Sequence, residues 1–236
     1  MQCAPPAPKS ATTLLRDRME PAPASPTLPH ATLSEVFAAR EVNPAADGAV
    51  TSFVSTHLSG EKPVLWILDR LTRAEAGVPY LTGMAQTGLK APILRLDLNN
   101  PRDVLWAAEQ ALSCSALQGV VAELWGDPQV LDFTATKRLA LRAEAHGVAC
   151  WLVRRGGQAS LSAARERWRV TSLASLRHPH DPRAPGHPLW RADLFRSRFR
   201  PPQAWVARHD AAEGLVLDHA RLDESDTGPT TVARRA

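Results

Sequence analysis

Cysteine, lysine and long apolar runs are all scarce in this chain, and each shortage excludes something. Three cysteines (Cys3, Cys114, Cys150) are scattered over 236 residues with no Cys-x-x-Cys pair. That rules out a disulfide framework and a cysteine-built zinc site, and it suits a reducing cytosol. Runs such as Val64–Leu68 (VLWIL) fall far short of the roughly 18–20 apolar residues that span a bilayer. The N-terminus has no basic stretch followed by an apolar one, so no secretory signal and a cytoplasmic location are expected. There is no Gly-x-Ser-x-Gly elbow and no Gly-Lys pair anywhere. Lysine itself numbers four (Lys9, Lys62, Lys90, Lys137) against 24 arginines, within a net charge of +4 and a pI near 9.3. Arginine suits planar, multidentate contacts to carboxylate or phosphate; a GC-rich genome produces the same bias without any function.

What remains is an ordinary globular balance, 44% hydrophobic and 22% charged, at a length that buries a sizeable core unaided. Residues 1–29 carry Pro5, Pro6, Pro8, Pro21, Pro23, Pro26 and Pro29 among Ala, Ser and Thr and read as a disordered tail. Residues 30–218 form the expected domain, and 219–236 a polar, flexible tail. Within the domain, strands and helices alternate. Leu33–Phe37 is a short strand. Val50, Phe53, Val54 and Leu58 have helical spacing over 46–59. Pro63–Asp69, Pro92–Leu98, Gly119–Trp125 and Val148–Val153 read as strands of a parallel sheet, the most apolar of them buried on both faces. Asn100, Pro101 and Asp103 open a helix running to about Cys114. Asp132 or Thr134 caps another that stops at Gly147. The repetition implies right-handed crossovers and a parallel sheet with helices on both faces. A helical turn at Ser162–Arg165 precedes a strand at Trp168–Thr171. After a proline-rich loop (177–188), Leu189–Arg200 and Gln203–His209 pair as an antiparallel hairpin, 189–209, joined at Pro201-Pro202.

The turn after the first strand is where α/β folds often cradle phosphate. A P-loop needs Gly-x-x-x-x-Gly-Lys-Ser/Thr, because backbone amides wrap the phosphates while lysine reaches the outer ones. Here Gly48 stands at the second glycine, Ala49 replaces the lysine, and the first glycine is missing. Glu41 and Asp47 would add repulsive carboxylates. Nucleotide binding, catalytic residues and cofactors are therefore not expected. Asp69, Asp97 and Glu123 near the carboxyl end of the sheet read as cap or salt-bridge residues rather than magnesium ligands. His178, His180 and His187 with Asp181 lie in a loop broken by four prolines, which fixes no metal geometry. Cys114 and Cys150 fall on elements expected to be buried, which leaves no nucleophile.

The hairpin is the most distinctive surface. From Arg165 to Arg208 ten arginines stand against three acidic residues, a net of about +7. Arg191, Arg196, Arg198, Arg200 and Trp205 are the candidate partner-binding residues, suited to an acidic protein or nucleic acid. The same charges would equally keep an edge hairpin from aggregating. On a regular strand Arg196, Arg198 and Arg200 share one face, with Phe195 and Phe199 on the opposite, sheet-covering face.

Read together, LSEVF, PVLWILDR, DVLWAAEQAL, GVVAELWG, LDFTATKRLALRAEAHGVACWLVR and SAARERWRV resemble the ImuA proteins of bacterial SOS mutagenesis, over about Leu33 to His209. The resemblance implies a degenerate RecA-like core, similar also to the cell-division inhibitor SulA, without a working Walker A motif. It implies a non-catalytic role in error-prone translesion DNA synthesis. The implied partners are ImuB, a Y-family polymerase relative, and an error-prone DNA polymerase III alpha-type subunit, with RecA association and indirect contact with DNA. Two other readings stay open: a SulA-like inhibitor of a division GTPase, and a weak RecA-like DNA-binding ATPase.

Overall fold

The computed structural model describes residues 31–38, 48–58, 60–86, 89–181, 183–210 and 214–218. The tails expected at 1–29 and 219–236, and most of the turn after the first strand, lie outside the described residues. Among the described residues nine strands form one sheet in the order β3-β2-β4-β5-β1-β6-β7-β8-β9. They are β1 (Leu33–Ala38), β2 (Val64–Leu68), β3 (Ile93–Asp97), β4 (Gly119–Trp125), β5 (Ala149–Arg155), β6 (Glu166–Leu173), β7 (Leu189–Ser197), β8 (Gln203–Asp210) and β9 (Gly214–Asp218). Pairing is parallel from β3 across to β6 and antiparallel from β6 to β9. This is the architecture expected from the sequence, a parallel α/β core continued by an antiparallel hairpin.

The alternation of strand side chains builds two cores. On one face Trp66, Val121, Trp151, Val153 and Trp168 meet Val50, Phe53 and Val54 of α1 (Ala49–Thr56). On the other face Ile67, Val120, Ala122, Leu124, Cys150 and Leu152 meet α4 (Pro101–Ala111) and α5 (Phe133–His146). Such fully buried Leu and Phe side chains each contribute roughly 1.5–3 kcal/mol. Between β2 and β3 lie two short helices, α2 (Arg70–Ala76) and α3 (Leu81–Gln86), which the hydrophobic pattern did not disclose.

The start and stop signals act as read. Asn100 Oδ1 accepts the Asp103 amide at 3.0 Å with Pro101 in the first turn of α4, and Asp132 Oδ1 accepts the Ala135 amide at 2.7 Å to open α5. Gly147 closes α5 in the left-handed region, φ 68°, where a side chain would be strained.

Three expectations need correction. No helical turn forms at Ser162–Arg165; the Ser162 hydroxyl instead accepts the Ala164 amide, a local turn leading into β6. Helix α4 ends at Ala111, so Cys114 falls in the following turn and is exposed, while Cys150 is buried in β5. Strand β7 ends at Ser197 rather than Arg200. There the Ser197 hydroxyl accepts the amides of Phe199 and Arg200 and turns the chain off the sheet.

Candidate functional site

In a parallel sheet the carboxyl ends of the strands are where function gathers; here one buried ionic network lies at that end, and a second runs to it from the middle of β1. In the first, Glu123 of β4 is 2% exposed. Its Oε1 accepts the Trp66 indole N–H at 2.7 Å, and its Oε2 accepts from Arg155 Nε of β5 at 2.8 Å. Arg155 Nη2 then donates to the hydroxyl of Thr51, in the first turn of α1, at 2.9 Å. One guanidinium thus ties β4 and β5 to the helix that follows the phosphate-loop position. Ala49, at the lysine position, is 2% exposed and packed in the core. The cation at this end of the sheet comes from β5 and faces a carboxylate of the protein itself.

The second network centres on Glu35 of β1, fully buried. Arg167 Nε of β6 donates to its Oε2 at 2.6 Å, and Arg154 Nη1 of β5 lies 3.8 Å from its Oε1. Arg154 also donates to Asp127 Oδ1 at 2.6 Å. Burial pushes the Arg154 guanidinium below the ordinary arginine value, while Glu35 and Asp127 pull it back up. The Phe37 ring lies 5.5 Å from the Arg154 guanidinium and 5.3 Å from that of Arg167, within cation–π range. The loops after β4 and β5 touch at Gly157, where a Cβ would sit 2.7 Å from the Gly126 carbonyl oxygen.

The acidic residues singled out in the sequence take cap and pairing roles. Asp69 accepts the Thr72 amide at 2.6 Å and caps α2, Asp97 pairs with Arg73 and Arg95 at 3.5 and 3.3 Å, and Glu123 holds Arg155. His178 accepts the amides of His180 and Asp181. Among the described residues no group of three or more His, Cys, Asp or Glu is arranged to hold a metal ion. Burial raises the Cys150 thiol to about 12, which keeps it an unreactive neutral group.

The five candidate partner residues separate into four environments. Arg200 forms a two-pronged bond with the fully buried Glu166, at 2.9 and 3.1 Å, and its guanidinium covers the rings of Trp168 and Trp205. Trp205 is 4% exposed and belongs to the core, its ring 5.3 Å from that of Trp168. Arg191 pairs with Asp193 on its own strand at 3.1 Å. Arg196 and Arg198 alone of the five are exposed. The expected single arginine face is not formed, for two reasons. Between Arg167 and Trp168 the β6–β7 register shifts, placing Arg196 opposite Arg167 and Leu194 opposite Trp168, so Phe195 is an extra residue that re-aims its neighbours. Phe195 then packs on Phe37 and on the Arg167 and Arg169 guanidinium groups. Beyond Ser197 the strand is over, and Phe199, expected to cover the sheet, is 42% exposed.

Sequence reading missed the pairings of Arg154, Arg155 and Arg167. Their signal was a charge inside an apolar strand: Glu35 in LSEVF, Glu123 in GVVAELW and two arginines closing β5.

Protein ImuA of Caulobacter vibrioides, from strain NA1000 / CB15N and from strain ATCC 19089 / CIP 103742 / CB 15, is 30% identical over 159 residues. The chain is similar to ImuA. The match takes in 63% of this chain and 61% of the relative, so the chain spans about three fifths of the length of the curated relatives it matches. The ImuA resemblance carried by the strand and helix segments is met by this relative. No family model matches the chain. Among solved structures, a KaiC-like protein from Pyrococcus horikoshii OT3 matches with a TM-score of 0.43 at 12% identity, covering 80% of this chain and 90% of its own. No described helix is long and apolar enough to cross a membrane.

Proposed function

We propose that this protein is a non-catalytic accessory factor of DNA-damage-induced mutagenesis, acting with an ImuB-like protein and an error-prone polymerase in translesion synthesis. The similarity to Protein ImuA over 159 residues carries this reading. Its non-catalytic part is supported by two features of the sheet's carboxyl end. A buried alanine stands where a phosphate-gripping lysine is needed, and Arg155 is engaged by Glu123 and Thr51. A scaffold retained for packing and partner surfaces fits both. Fold by itself does not assign function, so the test is biological. Deleting the gene should lower damage-induced mutation frequency while leaving spontaneous mutation and growth unchanged, and the intact gene should restore it. Affinity purification from damaged cells should recover the Y-family relative and the polymerase. Unchanged induced mutagenesis, or filamentation on overproduction with recovery of a division GTPase, would overturn the reading. Turnover of ATP by the purified protein above background would overturn its non-catalytic part.

A further inference from the structure

On the face of the sheet that carries α5, a groove of about 380 Å³ runs between that helix, the 162–165 segment and the end of β7. Phe133, Lys137 and Leu141 recur every fourth residue along α5 and form one wall, as helical spacing requires. Arg196 and Arg198 form the other wall, and Ala163 lies between. The apolar side chains here are open to solvent: Phe133 is 43% and Leu141 51% exposed.

The charges around the groove are unbalanced. Lys137, Arg196 and Arg198 are exposed, and none forms a side-chain hydrogen bond or ion pair with a described residue. The acidic groups nearby are engaged. Glu144 accepts two bonds from Arg165 and one from the Thr32 hydroxyl, and the Asp132 carboxylate caps α5. The groove therefore combines an apolar wall with three cations outside any hydrogen bond or short ion pair, Arg198 among them acting on Glu144 only through its field.

We propose that this groove docks an acidic segment of another protein, one that seats a large aliphatic or aromatic side chain between Phe133 and Leu141 and sets carboxylates against Lys137, Arg196 and Arg198. Complementarity of both kinds favours a peptide over nucleic acid. Phe133 is a single aromatic ring among the aliphatic Leu141 and Ala163, too few for a run of stacked bases, and three cations track only a short length of phosphate backbone. The inference stands on the groove's chemistry and not on the mutagenesis assignment.

The test uses the full-length purified protein. Random peptides of about twelve residues displayed on phage are selected on it, and enriched sequences are synthesised for fluorescence anisotropy. Enrichment of Asp and Glu flanking Leu, Ile, Phe or Trp is expected. Arg196→Ala/Arg198→Ala should weaken the selected peptides about tenfold at low salt, and Arg196→Lys/Arg198→Lys should recover most of that loss. Leu141→Asp should weaken them at low and at high salt, most at low salt, because it removes apolar contact and adds a carboxylate that repels the acidic peptide. Circular dichroism confirms that each variant is folded. No acidic–apolar consensus, peptide affinity unchanged in the alanine double variant or in Leu141→Asp, or groove-dependent binding of a single-stranded oligonucleotide alone would overturn the proposal. None of these outcomes alters the mutagenesis test above.

Discussion

Replacing Arg155 by methionine keeps much of the side-chain volume and removes the cation that faces Glu123. The cost depends on whether that pair behaves as a surface or an interior contact. An exposed ion pair contributes about 0–1 kcal/mol. An interior pair broken on one side costs about 3–5 kcal/mol, because the remaining charge stays desolvated. The geometry decides for the interior case: the Arg155 and Glu123 side chains are 6% and 2% exposed, 2.8 Å apart. Glu123 Oε2 would lose its donor while Trp66 still held Oε1. At about 2–4 °C per kcal/mol for a domain of this size, the melting midpoint should fall by roughly 6–20 °C. Glu123→Gln in the same background removes the stranded charge and keeps an amide oxygen for Trp66. The double variant should therefore recover most of the loss, giving a coupling energy of about 2 kcal/mol or more. Urea unfolding of wild type, both single variants and the double variant measures all the terms. A loss under about 1 kcal/mol for Arg155→Met, or additive single effects, would refute the interior pair and with it the claim that Arg155 is committed to Glu123.

Four further outcomes are expected. Ala49→Lys should not create nucleotide hydrolysis and should destabilise the fold by about 1–3 kcal/mol, since the site is packed; a phosphate-release assay and urea unfolding check both. Arg200→Ala should cost about 1–3 kcal/mol by leaving Glu166 unpaired with 25% of the Arg200 side chain exposed, whereas Arg196→Ala or Arg198→Ala should stay within about 0.5 kcal/mol. The hydrogen bond from Arg165 holds Glu144 below the usual carboxylate range; its stabilisation is present above the unfolded-state value and lost as pH falls through the lowered one. Glu144→Gln should therefore lower the urea midpoint at pH 7 and match wild type in strong acid. In native protein a thiol reagent should modify Cys114 and spare Cys150 until unfolding, as peptide mapping by mass spectrometry will report.

The elements legible in the sequence were those whose signal is local. Apolar runs such as PVLWILD and GVVAELW marked buried parallel strands, and Asn100, Asp132 and Gly147 marked helix ends through bonds made within a few residues. Helices α2 and α3 escaped because each is under two turns of core-facing pattern, with Leu71 and Leu81 exposed; the cap Asp69 was their one local cue. The arginine surface was misdrawn because pairing is non-local. Glu166 and Arg200 are 34 residues apart, and Arg155 meets Glu123 through a β4–β5 register that sets Trp125 beside Arg155. Composition counted these arginines as available charge, while the register spends several of them inside the fold. The extra residue at Phe195 then set that ring on Phe37 and the Arg167 and Arg169 guanidinium groups, and the end of β7 at Ser197 left Arg198 and Arg200 outside the alternation on which the one-faced arginine strand depended.

The place of β1 in the sheet has a consequence for assembly. It hydrogen-bonds β5 on one side and β6 on the other, with Leu33 beside Cys150 and Ala38 beside Val170. Among the described residues, strand pairing joins the block β3-β2-β4-β5 to the block β6-β7-β8-β9 only through it. The earliest described strand therefore waits over the longest stretch of sequence for its second partner, because that neighbour is more than a hundred residues later in the chain. During synthesis the first block can complete its own parallel pairing with one open edge on β5, and that edge stays open until β1 docks. Contacts of such sequence separation form slowly, and unpaired strand edges are where nascent chains misassociate. β1 works as a keystone set early in the sequence and late in time.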